Sequence, residues 1–473
     1  MRFTRIIATL GPATSAPRVL TALMRAGVDV ARLNMSHGTH ASHARMTHDL
    51  RAAAREVGRR VGLLVDLQGR KVRIGRLADG GPLRLRAGER VTLTPRAIVG
   101  RPGLLPTTCA TLALDVRPGD PILLDDGRME LRASRRRGRD VECRVVGGGL
   151  LREHKGMNLP ETVLRGASLS RRDRLDLDFA IRHGADYLAV SFVRDAADIE
   201  RVRRVLRRRG SDIPIIAKLE LRIAVDHLQE ILEVADGVMI ARGDLGVEVA
   251  LERVPVLQRE ILRAANHAGV LVVTATEMLE SMIERPRPTR AEASDVANAI
   301  FDGTDAVMLS AETASGQYPA RSVAVMDRIA REAERSGLRA EHAVEPATGK
   351  DRATHAILHA ASDAARQADA QAIVVYTQTG ETARRLSKLK PDCPILALAP
   401  SERICGRMTM FRGVRPLRVP LASSTERMLA DGDRAMLSHG LIRPGQQVVV
   451  VFGTSRRKGA TNLMKMHRAG VRT

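Results

Sequence analysis

Ile215–Gly246 reads IIAKLELRIAVDHLQEILEVADGVMIARGDLG. It holds two short apolar runs, Ile213–Ala217 and Gly237–Ala241, each ending abruptly in charge. Side chains alternate along a strand, so Lys218 shares a face with Glu220, and an extended continuation would pair Arg242 with Asp244. The amphipathic segment Ile223–Ala235 between the runs is expected to be the crossover helix of a βαβ unit. Parallel neighbours then bring an ammonium, a guanidinium and two carboxylates to one end of a sheet. Strands covered on both faces leave few exposed positions for simple surface ion pairs. Carboxylates beside fixed cations suit a divalent metal that holds a phosphorylated or carboxylated substrate.

Working outward, three further units open the chain. Apolar runs at Ile6–Leu10, Val28–Arg32 and Leu63–Val65 alternate with helical patterns at Pro17–Ala26 and Ala41–Val57. Later runs at Tyr187–Val190, Val270–Val273 and Ala306–Leu309 complete eight β-α units. Eight such units predict a closed (β/α)8 TIM barrel of the α/β class, with its site at the C-terminal strand ends. The barrel is expected over residues 1–69 and 161–340. Short alternating runs such as Val91–Leu93 and Val141–Val145, broken by glycine and proline, predict an inserted small antiparallel β domain over 70–160. Within it Asp125-Asp126-Gly127 reads as a tight turn, and the Arg135–Arg137 run as a hairpin turn. A polar stretch at 335–349 reads as a linker. Runs at Ile373–Val375, Ile395–Leu398 and Val448–Phe452 then predict a C-terminal doubly wound α/β domain over 341–473.

Bulk properties narrow the function. The chain has 473 residues, 44% of them hydrophobic, enough for ordinary cores. No apolar run approaches the length of a membrane span, and the N-terminus lacks a signal-peptide pattern. Cys109, Cys143, Cys393 and Cys405 are widely spaced, which favours neither a disulfide framework nor a zinc site. A cytoplasmic location is expected. The net charge of +22 invites a nucleic-acid reading, but aromatic residues make up only 2% and arginine is spread over every expected helix. Stacking platforms are therefore scarce, and no specific nucleic-acid partner is expected.

The chain contains no Walker-type GxxxxGK[ST] and no GxGxxG after a strand. Any phosphate chemistry therefore relies on the strand ends. Glu220 and Asp244 are candidate ligands for a hard metal such as Mg²⁺. Lys218 and Arg32 are placed to neutralise a transferring phosphoryl group. The Gly243 and Asp244 amides precede a possible helix and suit an anion, and Thr276 and Ser310 offer hydroxyls for orientation or proton relay. His37 is the lone histidine at a strand end, where an ordinary polar contact is the simpler reading.

ARLNMSHG (31–38), KGMNLP (155–160), AKLE (217–220), ARGDLGVE (241–248) and the block from Thr274 to Ala314 together closely resemble the pyruvate kinase family. The resemblance implies a barrel with a β lid inserted after its third strand and a C-terminal regulatory domain. It also implies phosphoryl transfer from phosphoenolpyruvate to ADP with Mg²⁺ (or Mn²⁺), giving pyruvate and ATP in the last step of glycolysis, and a homotetramer. By position, Lys218 is similar to the family's phosphoryl-stabilising lysine, Arg32 to its phosphate-binding arginine, and Glu220 and Asp244 to its metal ligands. Gly243, Asp244 and Thr276 match substrate contacts, and Ser310 and Glu312 match a proton-relay region. Asn34, His37, Arg73 and Lys155 match nucleotide contacts.

Several positions depart from the family pattern. Leu221 stands where Asn is frequent, Glu277 where Gln is usual, Ala311 where Gly is common, and Arg70 replaces a hinge proline. Relatives that hold K⁺ use residues matching Asn34, Ser36 and Asp66 plus a threonine hydroxyl. Here that segment reads Asp66-Leu67-Gln68-Gly69-Arg70-Lys71, so the hydroxyl is missing and Lys71 replaces an acidic residue. A tethered ammonium substitutes for the ion's charge, and K⁺ is expected not to be required. In the C-terminal domain, Thr377, Thr379, Gly380 and Thr382 open a helix, and Arg456 and Arg457 lie in a later loop. Together they resemble an effector pocket for a phosphorylated ligand, although an ordinary strand-helix turn explains the first four equally well. Two other classes compete: a phosphoenolpyruvate-utilising lyase, which would not need Arg73 and Lys155, and a non-catalytic anion-binding protein.

Overall fold

Every barrel strand is an apolar run of four to six residues buried along nearly its whole length. In the computed structural model, which describes residues 2–69, 71–165, 169–338, 352–422, 424–453 and 461–471, these runs close on themselves. The strands are β1 (Arg5–Leu10), β2 (Val30–Asn34), β3 (Gly62–Asp66), β4 (Tyr187–Val190), β5 (Ile215–Leu219), β6 (Gly237–Ala241), β7 (Leu271–Ala275) and β8 (Ala306–Leu309). Each pairs in parallel with the next, and β8 returns to β1. This is the expected (β/α)8 barrel. The intervening helices carry clear start signals. Thr39 caps His40–Glu56, Ser170 caps Arg171–Arg182, and Thr289 with Glu292 forms a capping box on Arg290–Phe301.

Three expectations change. The crossover after β5 is two short helices, Arg222–Asp226 and Leu228–Val234, broken at His227. Their first turn starts at Leu221, which makes no side-chain capping hydrogen bond. The extended run after β6 ends at Ala241, because Arg242–Glu248 is already helical. Arg242 and Asp244 therefore do not share a strand face, and Gly243 and Asp244 lie inside a first helical turn rather than before one. The Arg135–Arg137 run is the end of the strand Met129–Arg137, with Arg135 paired to Glu142 on the returning strand at 2.7 Å.

The inserted domain is built on a six-stranded sheet, with Met157–Asn158, Pro121–Leu124, Met129–Arg137, Asp140–Gly147, Arg90–Thr94 and Leu104–Pro106 side by side. It is antiparallel except for its last pair. Leu93, Leu105, Ile122, Leu124 and Leu131 form its own buried core.

The C-terminal domain stacks Val414–Arg418, Ile395–Ala399, Ala372–Tyr376 and Gln447–Phe452 in parallel, with Leu463–Arg468 antiparallel at the edge. Its core is continuous with the lower interior of the barrel. Ile7, Val30, Leu64, Ile216 and Met239 belong to the same buried cluster as Ile373, Leu386, Met408 and Val449. Tyr187 Oη donates to the Arg407 carbonyl at 2.5 Å. Lys388 Nζ bonds Asp305 Oδ2 at 2.7 Å with both side chains 1% exposed. Losing either member of that pair would strand a buried charge at about 3–5 kcal/mol. The floor of the barrel is thus a fixed base, and the polar chemistry is confined to the opposite end. Residues 339–351, which include most of the expected linker, lie outside the described residues.

Candidate active site

The alternation of a strand carries the inward-facing apolar row into polar residues. Ile7, Val30, Leu64, Ala189 and Ile216 face the lower interior. Two positions further along the same strands stand Thr9, Arg32, Asp66, Ser191 and Lys218, with Glu220 one more step past β5. These six share the C-terminal mouth of the barrel because the register aligns the strands: Thr9 opposes Arg32, and Asn34 opposes Asp66.

They form one hydrogen-bonded group. Arg32 Nε donates to Asp66 Oδ2 at 2.7 Å, and Nη1 to Thr9 Oγ1 at 3.0 Å. Lys218 Nζ lies 2.7 Å from Glu220 Oε1, 2.9 Å from Ser191 Oγ and 3.4 Å from Asp66 Oδ2. Glu220 Oε2 accepts the Phe192 amide at 2.7 Å. Burial pulls the Lys218 pKa down, but Asp66 and Glu220 outweigh it and hold the ammonium charged. Burial pushes the Glu220 carboxyl up; Lys218 opposes this and the nearby Asp244 charge adds to it. Thr9 and Ser191 were not singled out as site residues in the sequence. The signal was available, since both stand two places after an inward-facing apolar residue.

Glu220 and Asp244 are close enough for their charges to repel, the situation a divalent cation relieves. Among the described residues there is no cluster of three or more His, Cys, Asp or Glu able to hold a metal. The protein therefore offers two carboxylates, a set that fits Mg²⁺ with water and substrate oxygens completing the shell.

Arg242 points elsewhere. Its guanidinium bonds Asp295 at 2.6 Å and donates to the Thr276 carbonyl at 2.7 Å and the Glu277 carbonyl at 3.1 Å. Thr276 and Glu277 have φ of 70° and 54°, so Arg242 braces two residues in the left-handed region. Thr276 Oγ1 accepts the Gly243 amide at 2.8 Å, which joins the two expected substrate contacts. The exposed Glu277 carboxylate lies beside Gly243.

Of the expected monovalent-cation group, Asn34, Ser36 and Asp66 stay together. The Ser36 amide donates to Asn34 Oδ1 at 3.1 Å, and the Met35 amide to the Asp66 carbonyl at 3.0 Å. Lys71 does not join them. Its ammonium is on Asp244 Oδ1 at 2.9 Å and lies 3.7 Å from Asp126 Oδ1 of the lid. The reason is electrostatic: the Asp66 carboxylate is already held by Arg32 and Lys218, whereas Asp244 is short of a cation. Asp125-Asp126-Gly127 is the expected turn, and it also faces the site. Asp125 pairs with Lys155 at 2.7 Å. Arg73 Nη1 donates to the His154 carbonyl at 3.0 Å, and Arg73 bridges Gly156 across the lid root. His37 is exposed, and its carbonyl accepts from His43.

Glu248 was not anticipated. It accepts from Asn158 Nδ2 of the lid root at 2.9 Å, and burial pushes its carboxyl up to about 7. It faces a cavity of about 580 Å³ at the lid root, bounded also by Val72, Leu159, Phe192 and Ile223; Lys218, Glu220 and Asp244 do not line it.

Among the described residues, Ser310 Oγ is buried without a hydrogen-bond partner, while Glu312 Oε2 accepts the Ser310 amide at 2.7 Å and burial pushes its carboxyl up. In the C-terminal domain, Thr377 Oγ1 accepts the Gly380 amide at 2.9 Å, Thr379 Oγ1 accepts the Glu381 amide at 3.4 Å, and Thr382 Oγ1 meets Thr461 Oγ1 at 3.0 Å. Glu381 lies between Arg384 and Arg385, which lower its pKa to about 2 against the effect of burial. Arg456, Arg457 and the hinge residue Arg70 lie outside the described residues.

The family models described as "Pyruvate kinase, barrel domain" and "Pyruvate kinase, alpha/beta domain" match residues 1–323 and 355–467. The chain belongs to the pyruvate kinase family. It is 43% identical over 468 residues to a pyruvate kinase of Mycobacterium intracellulare, covering 98% of each chain. It is 42% identical over 470 residues to a pyruvate kinase of Corynebacterium glutamicum, covering 99% of this chain and 98% of that one. A crystal structure of a pyruvate kinase from Cryptosporidium parvum superposes with a TM-score of 0.91 at 33% identity, over 99% of this chain and 96% of that chain. The protein is accordingly a kinase, a phosphotransferase of this family. Among the described residues no helix is long and apolar enough to cross a membrane.

Proposed function

We propose that this enzyme transfers the phosphoryl group of phosphoenolpyruvate to ADP, giving pyruvate and ATP, with Mg²⁺ (or Mn²⁺) held by Glu220 and Asp244 and without a requirement for K⁺. The observation that carries the reading is the buried Arg32–Asp66–Lys218–Glu220 group at the barrel mouth. It fixes two cations and a metal-ligating carboxylate around one small volume. When bound, the metal supplies charge neutralisation and orientation of phosphate oxygens.

In this reading Lys218 and Arg32 bind the transferring phosphoryl, and their preorganised charges act most strongly on its transition state. The Thr276 hydroxyl and the Gly243 amide, now bonded to each other, open to the substrate carboxylate. The bond between phosphorus and the enol oxygen breaks as a bond to the ADP β-phosphate oxygen forms. The resulting enolate takes a proton at its methylene carbon. The buried, unpartnered Ser310 hydroxyl and Glu312 form the candidate relay to solvent. Asn34, His37, Arg73 and Lys155 are the nucleotide contacts, and the lid that carries the last two excludes water.

A cytoplasmic homotetramer and a phosphorylated effector at Thr377–Thr382 belong to the same proposal. The deciding experiment is a coupled assay for pyruvate with and without ADP. Pyruvate formed only with ADP, with stoichiometric ATP, supports the reading. ADP-independent pyruvate would favour the lyase class, and no turnover of phosphoenolpyruvate would overturn both.

A further inference from the structure

Lys71 leaves the hinge between barrel and lid and ends between two carboxylates of different domains. Asp244 is in the first turn after β6, and Asp126 is in the lid turn, where both Asp125 and Asp126 have positive φ. The path of the side chain is tight. A Cβ at Gly156 would fall 2.9 Å from Lys71 Cε, so the ammonium stem lies close against this glycine. The side chain is 23% exposed, and Glu220 adds a third negative charge to its surroundings.

A divalent ion coordinates a carboxylate oxygen at about 2.0–2.1 Å for Mg²⁺. The ammonium already bonds Asp244 Oδ1, and a divalent ion on either oxygen of that carboxylate would lie within a few ångströms of it, where the two positive charges repel strongly. We infer that Lys71 is a built-in counter-ion of the metal site. It neutralises Asp244 in the metal-free protein, ties the lid turn to the barrel through Asp126, and is displaced from Asp244 when the divalent ion binds. The inference rests on the reading of Glu220 and Asp244 as metal ligands. It has two consequences. The divalent ion binds the free enzyme more weakly than two bare carboxylates would allow. Metal occupancy and the barrel's hold on the lid turn are linked, because one ammonium serves both.

The test is Mn²⁺ binding to the full chain without substrate, in K⁺-free buffer, with free Mn²⁺ measured by electron paramagnetic resonance. Lys71→Met is expected to bind Mn²⁺ about tenfold more tightly than the wild type, the effect of about 1.4 kcal/mol. Lys71→Arg, which keeps the charge, stays near the wild-type value. Equal or weaker binding by Lys71→Met, with a wild-type melting curve, overturns the inference. Lys71→Gln is the second variant should the methionine disturb folding, with the same expectation. Glu220→Gln tests the underlying reading separately: unchanged Mn²⁺ binding in that variant would remove the metal site itself, whatever Lys71 does.

Discussion

The Asp173 carboxylate accepts a 3.0 Å hydrogen bond from the Gly69 amide at the lid hinge. Its other oxygen accepts from Ser170 at the start of the Arg171–Arg182 helix, so one fully buried side chain ties a helix cap to the hinge. Gly69 has φ of +67°, and a Cβ there would lie 2.8 Å from Ser191 Cβ, so the hinge backbone is fixed against the strand end that contacts Lys218. Asp173→Ala should cost about 2–4 kcal/mol of stability through lost charge-assisted bonds and cap. It should raise KM for the nucleotide several-fold while leaving metal binding by the free enzyme unchanged. Melting curves and steady-state kinetics check both halves, and an unchanged KM would leave Asp173 a structural residue only.

Lys218→Met should reduce kcat by at least about a hundredfold, because the ammonium acts mainly on the transferring phosphoryl. Binding of phosphoenolpyruvate should weaken far less, since Arg32 remains. The variant also leaves the buried Glu220 carboxylate without its cation, so its melting temperature is expected to fall unless Mg²⁺ is added. A loss of turnover below about tenfold would contradict the assigned role.

The barrel and the position of Lys218 and Glu220 were legible in the sequence because strand alternation is local: two residues past a buried apolar position lies the barrel mouth. Arg242 was misread for a related reason. Its facing depends on where β6 stops, and the helix beginning at Arg242 turns the guanidinium toward Asp295 and the 276–277 carbonyls. Lys71 was expected in the neighbourhood of the missing monovalent cation because it replaces an acidic residue there, but through-space competition puts it on Asp244, and sequence does not carry that. The strands Val414–Arg418 and Leu463–Arg468 went unread because each is interrupted by exposed arginine or methionine rather than forming a continuous apolar run. The break at His227 left no proline or glycine signal.

Glu248 gives a pH dependence whose sign is fixed. Burial raises its folded-state pKa to about 7 from the ordinary 4.5. The folded protein therefore binds the proton more tightly, and that stabilisation is complete below about pH 4.5 and lost as pH rises through about 7. Glu248→Gln keeps an oxygen for Asn158 and removes the charge. It should match the wild type near pH 5 and be more stable by about 2–3 kcal/mol at pH 8. Thermal melts across that range check this; parallel curves for the two proteins would show that Glu248 ionises freely in the folded state.

Glu277 places an exposed carboxylate beside Gly243, where the substrate carboxylate is proposed to bind. Like charges at that range raise KM without touching the chemical step. Glu277→Gln should lower KM for phosphoenolpyruvate about two- to fivefold at low ionic strength with kcat unchanged, and the difference should shrink as salt is added. A change in kcat alone would assign Glu277 a different role.

Two of the oxygens that would hold a monovalent cation near the phosphate already have close partners. Asp66 Oδ2 takes Arg32 and Lys218, and Asn34 Oδ1 takes the Ser36 amide. Leu67, 1% exposed, brings no hydroxyl to the group. The proposed K⁺ independence assigns the ion's unit charge to the Lys71 ammonium, released from Asp244 when the divalent ion binds and present at every salt composition. Activity in Na⁺, tetramethylammonium and K⁺ buffers of matched ionic strength should therefore agree within about twofold, since only screening differs little between them. Lys71→Glu removes the tethered charge and adds a carboxylate, so it should lower activity and create at least partial K⁺ dependence. This readout is independent of Mn²⁺ affinity: a Lys71→Met protein with tighter Mn²⁺ binding but no K⁺ response would keep the counter-ion role and discard the surrogate one. Strong activation of the wild type by K⁺ would discard the surrogate role outright, because a tethered ammonium leaves no charge for the ion to supply.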